Sequence, residues 1–119
     1  MIKILFCFLI TASTVFAQNI ISVKYSLFNT IDNDYISPIK KSNSIVHFDF
    51  DNNKITLDRN NKKEVYKIKS HVSQGVNSDN REYSEVVTEK GGIRYLFRIT
   101  AIKLMIMRMD IKTGIILFY

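Results

Sequence analysis

The sequence predicts an all-β domain of seven to eight antiparallel strands in a meander, closing into a small barrel or folding into a sandwich. Three observations predict it. Beyond residue 17 helix formers are scarce, and Ala101 is the only alanine left. β-Branched and aromatic side chains are common there; they fit a pleated, half-buried surface and lose rotamer freedom in a helix. Apolar residues recur with a period of two, and Asn-, Asp- and Gly-rich breaks separate the apolar runs.

The first seventeen residues stand apart. Met1-Ile2-Lys3 is a short cationic start, and Ile4 through Ile10 is an unbroken apolar run. Val15 and Ala17 then occupy the two small-residue positions that a signal peptidase reads. This predicts a secretory signal peptide at residues 1–17, cleaved between Ala17 and Gln18, and hence a secreted or periplasmic product. The apolar run is too short for a stable span, so no membrane span is expected after cleavage. Removal leaves 102 of 119 residues as a single domain at 18–119, long enough to bury a core. The single cysteine, Cys7, leaves with the leader, so the exported domain would fold without disulfides.

Each later segment has its own reason. Ile21, Val23, Tyr25 and Leu27 alternate with Ser22, Lys24 and Ser26, which reads as one face to a core and one to water. Asn29 to Ser44 holds the sole proline, Pro38, with scattered apolar residues, and reads as a loop or a helical turn plugging one barrel end. Val46, Phe48 and Phe50 alternate with His47, Asp49 and Asp51. Asp51-Asn52-Asn53 then supplies a turn, because Asn tolerates the positive φ of tight hairpins. Ile55 and Leu57 bracket Thr56, and Asp58 to Lys62 is a second polar break. Tyr66, Ile68 and Val72 fall on one face, with Lys67, Lys69 and His71 on the other. Ser73 to Asn80 is a longer loop. Gly91-Gly92 marks a hairpin into Ile93, Tyr95, Phe97 and Ile99, which alternate with Arg94, Arg98 and Thr100. The run Ile93–Met109 is either two strands joined at Thr100-Ala101 or one long bent strand, and it is apolar on both parities beyond Leu104. Asp110 to Gly114 is the last turn.

Several chemistries are argued against by spacing. Asp49 to Asn53 begins like a calcium loop, but Lys54 stands where a glycine must bend the chain and Asn60 where a bidentate glutamate is needed. His47 and Asp49 share a strand face and His71 lies on another strand, yet nothing in the spacing requires a metal. There is no Gly-x-Ser-x-Gly elbow and no His-Glu-x-x-His helix. Glu82, Glu85 and Glu89 are simplest as an exposed strand face. Lys90 to Phe97 differs from a base-stacking strand because Gly92 stands where the first aromatic is needed. The expectations are therefore no enzyme, no cofactor, no metal and no nucleic acid.

Binding remains. A small, lipocalin-like barrel can enclose an apolar or amphipathic ligand, with Phe48, Phe97, Met105 and Met107 as candidate lining. The alternative is a protein-interaction module of the cell envelope, of inhibitor, immunity or adhesion type, using an edge strand or a basic face. The chain is basic, with 17 Lys and Arg against 11 Asp and Glu. Lys67, Lys69, Arg94 and Arg98 form the candidate anion-binding face, suited to an acidic envelope polymer or protein.

Overall fold

Alternation between buried and exposed side chains runs through much of the β sheet of the computed structural model, though Ser84–Thr88 is buried throughout. The structure describes residues 20–76, 78 and 80–119, apart from the side chains of Val72 and Ser73. The predicted leader and its cleavage point, Ala17 and Gln18, lie outside the described residues. Nine strands follow one another: β1 (Ile20–Asp32), β2 (Tyr35–Ile36), β3 (Lys40–Asp49), β4 (Lys54–Arg59), β5 (Lys62–Val76), β6 (Glu82–Lys90), β7 (Ile93–Ile99), β8 (Lys103–Arg108) and β9 (Thr113–Phe118). Neighbours pair antiparallel, and β9 returns to β1, so eight strands close a barrel and β2 is a short flap on β1. The barrel, not the sandwich, is what the meander makes. Closure leaves no long free edge, which is how such sheets avoid edge-to-edge association. β1 gives Ile20–Phe28 to β3 and Leu27–Asp32 to β9, a stagger that tilts the strands around the axis.

The interior is apolar. Val23, Tyr25, Val46, Phe48, Ile55, Leu57, Tyr66, Val86, Phe97, Ile99, Leu104, Ile106 and Leu117 are buried in one cluster. Tyr66 stands edge-on to Phe97 at 4.9 Å and to Tyr95 at 5.1 Å, the geometry that ring quadrupoles favour. No helix is needed to fill the space: eight strands enclose a volume that side chains can occupy.

Other local features also depart from the expected pattern. The β1–β3 register shifts between Tyr25 and Leu27, where two steps along β1 stand against three along β3, from Ser44 to Lys41. Such a one-residue shift changes which side chains face the core beyond it. Leu27 therefore pairs with Phe118 on the outside, while Phe28 packs on the core opposite Leu117. β5 has two register shifts, between Ile68 and Ser70 and between His71 and Ser73; Tyr66 and Ile68 are buried as expected, and the side chain of Val72 lies outside the described residues. Residues 29–44 hold no helical turn. β1 continues to Asp32, turns at Asn33-Asp34 and comes back as β2, and β3 starts after Pro38. The Ser37 backbone N–H donates to Thr30 O at 2.9 Å, and the Thr30 N–H donates to Ser37 Oγ at 2.8 Å. Proline cannot donate to a ladder and so falls in the break.

The turns follow their residues. Asn60 and Asn61 both have positive φ, as do Gly91 and Gly92, the backbone of the two-residue hairpins that match strand twist. Ile93–Met109 resolves into two strands. At the join Thr100 Oγ1 accepts from the backbone N–H groups of Ile102 and Lys103, at 3.3 and 3.1 Å.

Candidate binding surface

The four predicted lining residues do not share a space. Phe48 and Phe97 point inward and are fully buried. Met105 and Met107 point outward and are half-buried, because the inward parity of β8 belongs to Leu104 and Ile106. Phe48 stacks on Phe50 at 5.9 Å, and Phe97 pairs with Ile106 across β7–β8. Both aromatics are core.

The predicted basic face is assembled, but with carboxylates threaded through it. β6 lies between β5 and β7, and its outward Glu85 and Glu89 separate the cations. Arg98 reaches Glu85 Oε2 at 2.6 Å and also lies 4.8 Å over the Tyr83 ring. Lys69 lies 3.6 Å from Glu89, which stands opposite both Lys67 and Arg94 in the ladder. Alternating charge gives this face little net field to draw a polyanion.

The histidines are placed apart. His47 Nδ1 is 2.7 Å from Ser22 Oγ, and the His71 ring lies 6.2 Å from Phe50. Asp49 is buried at the β3–β4 turn, where its carboxylate accepts from Asn52 Nδ2 at 2.9 Å and from the Asn52 N–H at 3.3 Å. Those carboxylate bonds shape a turn. Among the described residues no three His, Cys, Asp or Glu side chains converge as metal ligands.

At the barrel mouth formed by the β4–β5, β6–β7 and β8–β9 connections, charges close on one another. Lys90 is ion-paired to Glu64 and lies 4.9 Å over the Tyr66 ring and 5.5 Å over that of Tyr95. Desolvation works against the ammonium, but the Glu64 hydrogen bond and the neighbouring phenols outweigh it and raise the Lys90 pKa. Burial, then Glu64, raises the Tyr66 phenol. Arg108 grips Asp110 with two hydrogen bonds, at 3.0 and 2.6 Å, and that hydrogen bonding draws the carboxyl below its ordinary range. Arg59 sits 5.6 Å over Phe28. These cations are spent on partners within the chain.

The feature left over is an apolar wall on the outside of β7, β8, β9 and β1. Leu96 stands opposite Met107, Met107 opposite Gly114, and Gly114 opposite Ile31. One step along the strands Met105 stands opposite Ile116, and Ile116 opposite Asn29; one step further, Phe118 stands opposite Leu27. Leu27, Ile31, Leu96, Met105, Met107, Ile116 and Phe118 are all half-buried. A β-carbon on Gly114 would strike the Ile106 carbonyl and Met107 Sδ, so the missing side chain is what lets the methionine lie across β9. No helix or second sheet covers the wall among the described residues. Asn29 is buried at its edge with Oδ1 unpartnered.

Sequence reasoning found the two methionines and missed their neighbours. The signal was present: Leu104–Met107 and Ile115–Phe118 are each apolar on both parities. A strand with one face in the core and the other still apolar has a second surface to satisfy. Comparison with protein-family models, curated proteins and solved structures finds no match to this chain.

Proposed function

We propose that this chain is a non-catalytic binding module of the cell envelope, exported by its predicted leader, which docks a protein partner on the outer wall of β7, β8, β9 and β1. The observation that carries the reading is the contiguous set Leu96, Met105, Met107, Ile116, Phe118 and Leu27 on a barrel whose interior is already occupied by side chains. Contiguous apolar surface on a small domain marks an interaction site, and methionine adapts to a partner's contour. A barrel spanning a bilayer would carry its apolar band all the way round. Here the outward positions of β3 and β5 include His47, Lys63, Lys67 and Lys69. The small-ligand reading has less support, because Phe48 and Phe97 fill the axis it needs.

The test is a retention experiment with envelope extract on three immobilised chains: wild type, Met105→Glu/Met107→Glu, and Lys67→Glu/Lys69→Glu. A partner held by the wall resists high salt, survives the lysine changes and is lost at least tenfold on the methionine changes. A partner lost on the lysine changes instead would move the site to the basic face. An apolar molecule found by mass spectrometry in an organic extract of the wild-type protein would restore the internal-ligand reading.

A further inference from the structure

The mouth of the barrel carries a second exposed apolar group, distinct in shape from the wall. Tyr35, Ile36, Ile39, Met109 and Ile111 are 48–64% exposed. They come from two chain segments at the same end, the β2 flap with its link to β3 and the β8–β9 turn. The two segments are fastened together: the Asn33 N–H donates to Lys112 O at 2.6 Å, and β2 is tied to β1 through the Ile31–Ile36 and Asp32–Tyr35 pairs. The tips therefore form one projecting edge. On the same rim of the barrel stand Lys40, Arg94 and Lys112, and across the mouth Lys62 and Lys63 of the β4–β5 hairpin, all exposed and outnumbering the exposed Asp32 and Asp34 of the flap. Lys90 and Arg108 at this mouth are taken up by Glu64 and Asp110, whereas among the described residues these five have no carboxylate within salt-bridge distance.

We propose that this end of the barrel is a peripheral docking site for an anionic lipid surface. Isoleucine and methionine side chains on short turns are the right length to enter the headgroup–acyl boundary, and a tyrosine beside them suits the interface, with its ring in the apolar layer and its hydroxyl wet. Lysines on the rim reach the phosphates while their stems stay against apolar surface. Anionic headgroups attract such a rim within a Debye length. A protein partner would need a complementary surface packed against five side chains that rise from turns; a fluid bilayer needs none. The site goes beyond the wall reading and does not depend on it. Docked this way, the barrel would stand upright with the wall facing sideways, open to a membrane-associated partner.

The test is flotation of the purified chain with vesicles of phosphatidylcholine alone and of phosphatidylcholine with phosphatidylglycerol, for wild type, Ile36→Asp/Ile111→Asp, and Lys62→Glu/Lys63→Glu. The substitutions lie at exposed turn and flap positions, and an unchanged circular dichroism spectrum and melting point confirm the fold. Any contribution of residues 1–19 is common to all three chains. The expected result is at least tenfold stronger binding of wild type to anionic than to neutral vesicles. Binding should fall at least tenfold in the isoleucine variant, and the preference for anionic vesicles should disappear in the lysine variant. Equal binding of wild type to both vesicles, no binding, or undiminished binding of the isoleucine variant would each overturn the proposal. Loss of a co-purifying envelope protein in that variant, without vesicle binding by the wild type, would assign the tip to a protein instead.

Discussion

Tyr25 carries the heaviest single-residue consequence. It is almost wholly buried against Val23 and the β1–β3 ladder, its ring stacks on Tyr119 at 5.4 Å, and burial drives its phenol far above the ordinary 10.0. Tyr66 is raised too, by burial first and then by Glu64. A neutral phenol in the fold keeps its proton where the unfolded chain has already lost it. Ionisation therefore lowers the free energy of the unfolded state as pH passes 10, and the fold loses stability from there upward, by about 1.4 kcal/mol per pH unit for Tyr25 with Tyr66 adding in the same direction. Lys90 acts in the same direction, since its raised pKa marks a Glu64 pair that is present at neutral pH and lost when the ammonium finally deprotonates. Urea denaturation between pH 8 and 11 should show a plateau followed by a steep fall. Tyr25→Phe should soften that fall and leave the neutral-pH midpoint nearly unchanged. An equally steep fall in the variant would place the alkaline lability elsewhere.

Between strands, the wall depends on β9, and β9 depends on Gly114. Any side chain there meets the backbone of β8 as well as Met107. Gly114→Ala should therefore lower stability by about 1–3 kcal/mol, the cost of overpacking, and expose Met107 to oxidation. The denaturation midpoint and the rate of sulfoxide formation by mass spectrometry check both effects. The Asn60-Asn61 hairpin offers the opposite sign. Both residues have positive φ, and Asn61→Gly should raise the melting temperature by removing strain at one of them. Much at this scale was legible in the sequence, because period two and Asn or Gly turns act locally. Val46–Phe48, Ile93–Ile99 and both two-residue hairpins needed no knowledge of neighbours. The register shift near Ser26 did not announce itself: nothing in Tyr25-Ser26-Leu27 says that two steps of β1 will stand against three of β3, since that depends on where β3 and β9 grip β1. That unseen shift moved Leu27 from the core to the wall. The same ignorance of partners hid the candidate surface, since Met105, Ile116 and Leu27 become neighbours only when the barrel closes.

Closure itself makes a claim about the whole molecule. Most ladders join strands adjacent in sequence, but β1–β9 joins opposite ends of the chain, Leu27–Asp32 to Thr113–Phe118. That contact costs the most loop entropy and forms only when the intervening strands have been brought into register. Leu117 sits at the seam, fully buried between Leu104 on β8 and Phe28 on β1. Leu117→Ala removes apolar contact at that point and should cost about 2–5 kcal/mol, like other buried leucine truncations. The decisive measurement is where the loss is felt. A barrel has no edge at which to fray, and the buried cluster draws on β1 and on β3 through β9 alike. Native-state hydrogen exchange should then show amides in β4 and β7, far from the substitution in the ladder, losing protection by the same amount as those of β1 and β9. Protection lost only in β1, β8 and β9, with β3–β6 left as in wild type, would mean that the closing seam is a separate unit. In that case the wall would open and close with it, and partner binding would track seam stability rather than the stability of the barrel.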